Sequence, residues 1–282
     1  MKIILVSIGN FQEYILDNIK NLLLYKNNNI TIITEKEYFH YFNEYSFISL
    51  VDKDTLSDFN FNNNSALDRV SRNGFWHLCS ARLFYLYSYI KKYNIQDCLH
   101  IENDVLIYYN LNNNNLFKSD KLCCTFDCDW RVIPSIIYIP NTDSLTIIIE
   151  NYDFNKNDME NLGKFNKDII ERLPISSECY CNENFSKYNI IFDAAAIGQY
   201  LGGVDPRNIS GDTMGFINET CLIKYNKYRF YWIKNKSDNN LYAPYIEINN
   251  KYIPIFNLHI HCKRLKDFIS NNPNKNKYID II

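Results

Sequence analysis

Glu102, Asn103 and Asp104 place two carboxylates at i and i+2 inside CLHIENDVLIYYN, residues 98–110. Its apolar Leu99, Ile101, Val105 and Ile107 otherwise read as a buried strand. In an extended segment, side chains two residues apart leave the same face. Carboxylates held that close repel, and one stays protonated unless a cation sits between them. Mn²⁺ or Mg²⁺ answers that need, accepting two carboxylate oxygens while keeping open positions for phosphate oxygens. Two solvated acids at a strand end are the plainer alternative. A second pair with the same spacing occurs in FNLHIHCKRLKDF, residues 256–268. There His259 and His261 share one face of an expected strand, and Lys263 continues the alternation.

The elements that must position these groups follow from hydrophobic patterning. KIILVSI is a continuous apolar run, the mark of a central strand covered on both faces. FQEYILDNIKNLLLY, residues 11–25, has helical spacing, NITIITE is a second strand and SFISLV a third. Residues 66–93 read as helix with an interruption near Asn73-Gly74, and the strand with the acids follows at once. This order predicts an α/β fold: a Rossmann-like, mostly parallel central sheet flanked by helices. Ser7, Ile8, Gly9 and Asn10, at the end of the first strand, fall at the carboxyl edge where open α/β sheets bind ligands. Beyond residue 121, KLCCTF and SIIYIP read as strands, and TIIIE as strand or helix. IFDAAAIGQYLGG reads as a short helix from Asp193 to Tyr200, capped by Asp193 and closed by Gly202-Gly203. YAPYIEIN and KYIPIFNLHIH make a late β-hairpin turning at Asn249-Asn250. No linker composition and no repeat divides the chain, so residues 1–282 are expected to form one domain.

A net charge of −2 provides no field to recruit nucleic acid, so a phosphate-bearing ligand must be held by a few local cations. The opening MKIILVSIGNFQEY is too short in its apolar run for a signal peptide, and no run approaches a membrane span; a cytoplasmic location is the expectation. The nine cysteines, among them Cys123, Cys124, Cys128, Cys179 and Cys181, do not form paired CxxC knuckles, which favours buried free thiols over zinc. SIGNFQEY has one glycine where a dinucleotide fold carries GxGxxG, and neither a P-loop nor a GxSxG elbow occurs.

ARLFYLYSYIKKYNIQDCLHIENDVLIY, residues 81–108, resembles the central block of GT-A glycosyltransferases, in which an Arg-bearing helix leads into a strand ending in a DxD motif. Glu102-Asn103-Asp104 stands as an ExD variant of it. Residues 256–268 resemble the late strand that returns a His to the metal and a Lys to the diphosphate; the HxxGxxKPW form of glycogenin-like families is absent. The resemblance implies a GT-A fold with a nucleotide-binding half, about 1–110, and an acceptor-side half, about 111–282. It implies Mn²⁺ (or Mg²⁺) on Glu102, Asp104 and a histidine, with His261 preferred over His259. Lys263 and Arg82 would meet the diphosphate or donor sugar, and Ser7, Ile8, Gly9, Asn10 and Asn103 the nucleotide. Asp193, in a segment (191–208) resembling the acceptor side, would stand beside the reacting carbon. The implied activity is transfer of a sugar from a UDP-sugar to a glycan, lipid or protein hydroxyl, and a homodimer is compatible with it. A catalytically silent carbohydrate-binding relative and a sugar-phosphate nucleotidylyltransferase share the fold.

Overall fold

The structure, a computed structural model, describes residues 1–112, 116–165, 167–177, 183–205, 223–235 and 241–282. Its first half runs β1 (Lys2–Ser7), α1 (Ile15–Leu24), β2 (Ile30–Thr34), β3 (Ser49–Asp52), α2 (Phe61–Asn64), α3 (Phe75–Tyr93), β4 (Cys98–Ile101) and β5 (Val105–Ile107). Next come β6 (Leu122–Cys128), β7 (Arg131–Ile139), α4 (Asp143–Glu150), α5 (Asp158–Gly163), β8 (Ile170–Arg172) and α6 (Phe185–Tyr188). The chain ends with β9 (Arg229–Asn235), β10 (Leu241–Ile248), β11 (Lys251–Pro254), β12 (Asn257–His259) and β13 (Asp280–Ile281).

The central sheet has seven strands in the order β3-β2-β1-β4-β7-β6-β8. Only β7 runs against the others, so the sheet is mostly parallel, as the patterning predicts. Every residue of β2 and β4 is buried, which is why these strands read as unbroken apolar runs. The long α3 packs beneath, with Phe84, Leu86 and Ile90 fully buried. Strands β6 and β8 lie beyond residue 110, so both halves of the sequence contribute to one sheet.

Several boundaries differ from the patterning. The helix expected over 11–25 begins only at Ile15, because residues 8–14 cross the sheet's carboxyl edge as a loop. The helix expected from 66 begins at Phe75, after Arg72, Asn73 and Gly74 all adopt positive φ. TIIIE lies in α4, not in a strand. β-Branched runs lean toward strand, and here burial of Leu145, Ile148 and Ile149 on one helical face overrides that preference. The late hairpin forms as expected between β10 and β11, with Asn249 and Asn250 both at positive φ. That is the turn geometry whose twist matches two antiparallel strands. Its second arm departs from expectation: the chain leaves the hairpin after Pro254 and pairs β12 with β5. Among the described residues no helix is long and apolar enough to cross a membrane.

Candidate active site

The acids lie in a turn, not in a strand. β4 ends at Ile101, the Glu102 N–H donates to the Ser135 carbonyl of β7 (3.0 Å), and Val105 N–H donates to Glu102 O (3.2 Å). The chain then quits the central sheet as β5, whose partner is β12. Convergence of the carboxylates is therefore the work of the turn and not of strand alternation. Asn18 of α1 clamps it, Nδ2 donating to the carbonyls of Glu102 (3.2 Å) and Asn103 (3.0 Å). One turn on, Asn21 Nδ2 donates to Ile107 O (2.8 Å). Both amides are fully buried on the face of α1 that also buries Ile15, Ile19 and Leu22. Buried amides need partners, and an irregular turn has carbonyls to spare.

His259 is the last residue of β12 and pairs with Val105. Its Nε2 lies 3.2 Å from Glu102 Oε2 and 3.2 Å from Asp104 Oδ2. The segment behind it makes this placement possible. A side chain at Gly198 would put Cβ 2.3 Å from the His259 carbonyl, so only glycine allows the contact. Asp193 fastens the same junction: its carboxylate accepts N–H bonds from Ala196 (2.7 Å), Ile197 (2.7 Å), Gly198 (2.8 Å) and His259 (2.9 Å).

The expected helix from Asp193 to Tyr200 is thus a tight capped turn, with Ala195 at positive φ, running into a π-type turn over Gln199–Gly203. Asp193 is fully buried with its oxygens turned to backbone, and among the described residues Gln199 and, further on, Asp205 are the polar side chains brought to the cavity here. Asp193 therefore lies behind the cavity wall and not on it. Part of the expected acceptor-side segment, residues 206–208, lies outside the described residues, as do Cys179 and Cys181.

Glu102, Asp104 and His259 offer ligand atoms within 4.8 Å of one another, on the wall of a cavity of about 500 Å³. One imidazole nitrogen and two carboxylate oxygens suit Mn²⁺ or Mg²⁺. The nearby Cys79 thiol is pushed up to about 12, chiefly by burial, and adds no thiolate. By this geometry His259, and not the expected His261, is the histidine that faces both acids. Strand β12 ends at His259, so the alternation that would present His259, His261 and Lys263 together stops there. His261 lines the cavity with its ring edge-on to His259 (4.3 Å between centroids). Burial and the neighbouring His259 lower its pKa to about 3, leaving it neutral.

Cations already sit on both acids. Arg82 of α3 pairs with Glu102 Oε1 and also approaches Asp158 Oδ2 (3.9 Å), and Lys263 pairs with Asp104 Oδ2. Burial opposes ionisation of both acids, but Arg82 holds Glu102 below its ordinary pKa and Lys263 holds Asp104 well below. For His259, burial works against the charged ring, and Asp104 followed by Glu102 reverses it, so its pKa is raised. Each acid thus has a cation of its own beside it, and both still attract positive charge to His259. Asp158 is the odd acid out: burial pushes it up to about 6, with Arg82 pulling it only part of the way back.

Of the residues singled out from sequence, Ile8, Asn10, Arg82, Asn103, Lys263, both acids and both histidines share the cavity wall. Ser7 is buried behind it at the end of β1, and Gly9 faces Leu78. With φ at +94°, Gly9 donates its N–H to Glu35 (2.8 Å) and accepts from the Tyr38 hydroxyl (3.0 Å), which fixes the loop. Sequence reasoning missed Asp158, Gln199, Tyr14 and the Asp127–Arg131 pair, all on the same wall. A signal for Asp158 is its place at the first position of α5, but that reads equally as helix capping.

No protein-family model matches the chain, and no curated protein matches it in sequence. Among solved structures, the chain is similar to an active-site mutant of LgtC (15% identity, 61% of this chain and 72% of that one, TM-score 0.43). It is similar to the PaToxG glycosyltransferase (10% identity, 59% and 69%, TM-score 0.40). A cytidylyltransferase from Leptospira borgpetersenii also matches (10% identity, 54% and 64%, TM-score 0.30). At these values the likeness carries no argument, and the chemistry is read from the site's own residues.

Proposed function

We propose that the chain is a metal-dependent glycosyltransferase that moves a sugar from a nucleoside-diphosphate sugar, a UDP-sugar by the family resemblance, to a hydroxyl acceptor. The observation that carries this reading is the meeting of Glu102, Asp104 and His259 on one cavity wall, with Arg82 and Lys263 beside them. Glu102, Asp104 and His259 would hold Mn²⁺ or Mg²⁺. Such an ion supplies electrostatic stabilisation of the diphosphate as its bond to the sugar breaks. Lys263 and Arg82 add fixed positive charge at the leaving group, in a setting where preorganised dipoles and charges act strongly. Ile8, Asn10 and Gln12, along the carboxyl edge of β1, form the nucleoside side of the cavity, and Asn103 is held toward them by donating to Gln12 (2.7 Å). Phe75 and Trp76, partly exposed where α3 begins, offer flat faces to a sugar ring. Asp193 orients His259 through its backbone and takes no part at the reacting atoms.

Loop 8–14 has one glycine and no lysine or arginine, which sets the reading against a nucleotidylyltransferase. Retention of both cations and of the donor triad sets it against a silent relative. Calorimetric titration with UDP, with and without Mn²⁺, followed by an assay of UDP release from a panel of nucleotide sugars, tests the proposal. Ion-dependent UDP binding and release from at least one sugar are expected. Equal UDP binding in the presence of a chelator contradicts the metal role.

A further inference from the structure

Asp104 Oδ2 has two claimants. It faces His259 Nε2 at 3.2 Å, and it is the oxygen on which the Lys263 ammonium rests. Arg82 makes no such conflict, since it takes Oε1 of Glu102 and leaves Oε2 to His259. A divalent ion held by the triad would thus compete with Lys263 for a single oxygen, but not with Arg82. Lys263 is free to yield it. Its side chain is over a third exposed, its four-carbon stem is flexible, and the Tyr14 ring, 5.5 Å away, offers a second resting face. Its backbone is held apart from this motion, at φ +60° in a turn closed by its N–H to the Ile260 carbonyl (3.2 Å). Arg82 has its own second seat, the Asp158 carboxyl 3.9 Å away.

We infer that Lys263 is an exchangeable counter-ion: it neutralises Asp104 in the empty cavity and passes to a diphosphate when one binds, freeing the Asp104 oxygen for a divalent ion. The second half of this exchange rests on the nucleotide-sugar reading; the first half does not. Ion and diphosphate then strengthen each other's binding, and by linkage the factor is the same in both directions.

The test is titration of free Mn²⁺, followed by its paramagnetic resonance, against wild type, Lys263→Gln, Lys263→Arg and Arg82→Lys, first without nucleotide and then with UDP. Without nucleotide, Lys263→Gln should bind Mn²⁺ roughly tenfold more tightly than wild type, within the ordinary range of coupling between sites. Lys263→Arg, which keeps the charge, and Arg82→Lys should stay close to wild type. UDP should raise wild-type affinity for Mn²⁺ and raise that of Lys263→Gln much less. Lys263→Met, of similar length and no charge, repeats the measurement if the glutamine variant does not fold. Mn²⁺ bound no more tightly by the neutral variants than by wild type overturns the exchange, whatever UDP does. Tighter Mn²⁺ binding by those variants with no UDP binding to any form keeps the competition at Asp104 and overturns the nucleotide-sugar reading instead.

Discussion

Two buried acids of this chain show how differently a carboxylate can be held. Asp193 is gripped by four backbone N–H groups, which cannot leave without unfolding the turn they belong to. Asp104, also buried, is neutralised by the side chains of Lys263 and His259, which can move or change partners. Backbone partners mark an acid that holds structure; side-chain partners on a cavity wall mark one that can take a ligand. The capping chemistry of Asp193, visible in sequence, is present in these backbone bonds.

The sharpest way to break this contrast is to neutralise each acid. Asp193→Asn leaves backbone donors unpaired in the interior and should destabilise the protein by about 3 kcal/mol or more, lowering Tm by roughly 10 °C. Asp104→Asn should change stability by no more than about 1 kcal/mol, because the Lys263 side chain is partly exposed and its freed ammonium can turn to water. It should nevertheless abolish Mn²⁺-dependent UDP binding. Thermal melts and UDP titrations on both variants decide the matter. A stable Asp193→Asn protein beside an unfolded Asp104→Asn one would reverse the assignment.

Gly198→Ala comes next in size. The added methyl would meet the His259 carbonyl at 2.3 Å and its nitrogen at 2.8 Å, and backbone cannot yield as a side-chain end can. A loss of about 2 kcal/mol is expected, as for other overpacked sites, together with weakened Mn²⁺ binding as His259 is pushed aside. Unaltered ion affinity would show that the Asp193–Gly198 turn does not position His259.

The smallest effect concerns Asp158, which has neither a backbone cage nor a committed cation. Its carboxyl is pushed up to about 6 by burial, against an unfolded value near 4, so the folded chain binds its proton more tightly between these limits. Ionised Asp158 therefore opposes folding above about pH 6, and that opposition fades as pH falls toward 4. Asp158→Asn should thus compare more favourably with wild type near pH 7.5 than near pH 4.5, by about a few degrees in Tm. A difference in Tm independent of pH would place Asp158 among ordinary solvated acids.

The sheet was legible because its central strands are buried on both faces and show it as unbroken apolar runs. The acid pair was legible too, although the reason differs: i and i+2 spacing suggested a shared strand face, and a clamped turn brings the groups together. Which of His259 and His261 faces both acids was not legible. It depends on where β12 stops, and that is set by pairing with β5 and by the Asp193 turn, both distant in sequence. Asn18 and Asn21 were a readable but unread signal, two amides three apart on an otherwise apolar helix face. Asp158 was not legible, because the cavity it faces is assembled from elements spread along the chain.

The central claim is that Glu102, Asp104 and His259 form the ion site, and Mn²⁺ titration of wild type, His259→Ala and His261→Ala tests it most directly. Removing His259 should weaken Mn²⁺ binding by more than roughly a hundredfold, beyond what altering a mere supporting partner does. Removing His261 should leave the affinity near wild type. Loss of the ion in His261→Ala with His259→Ala unaffected would contradict the account.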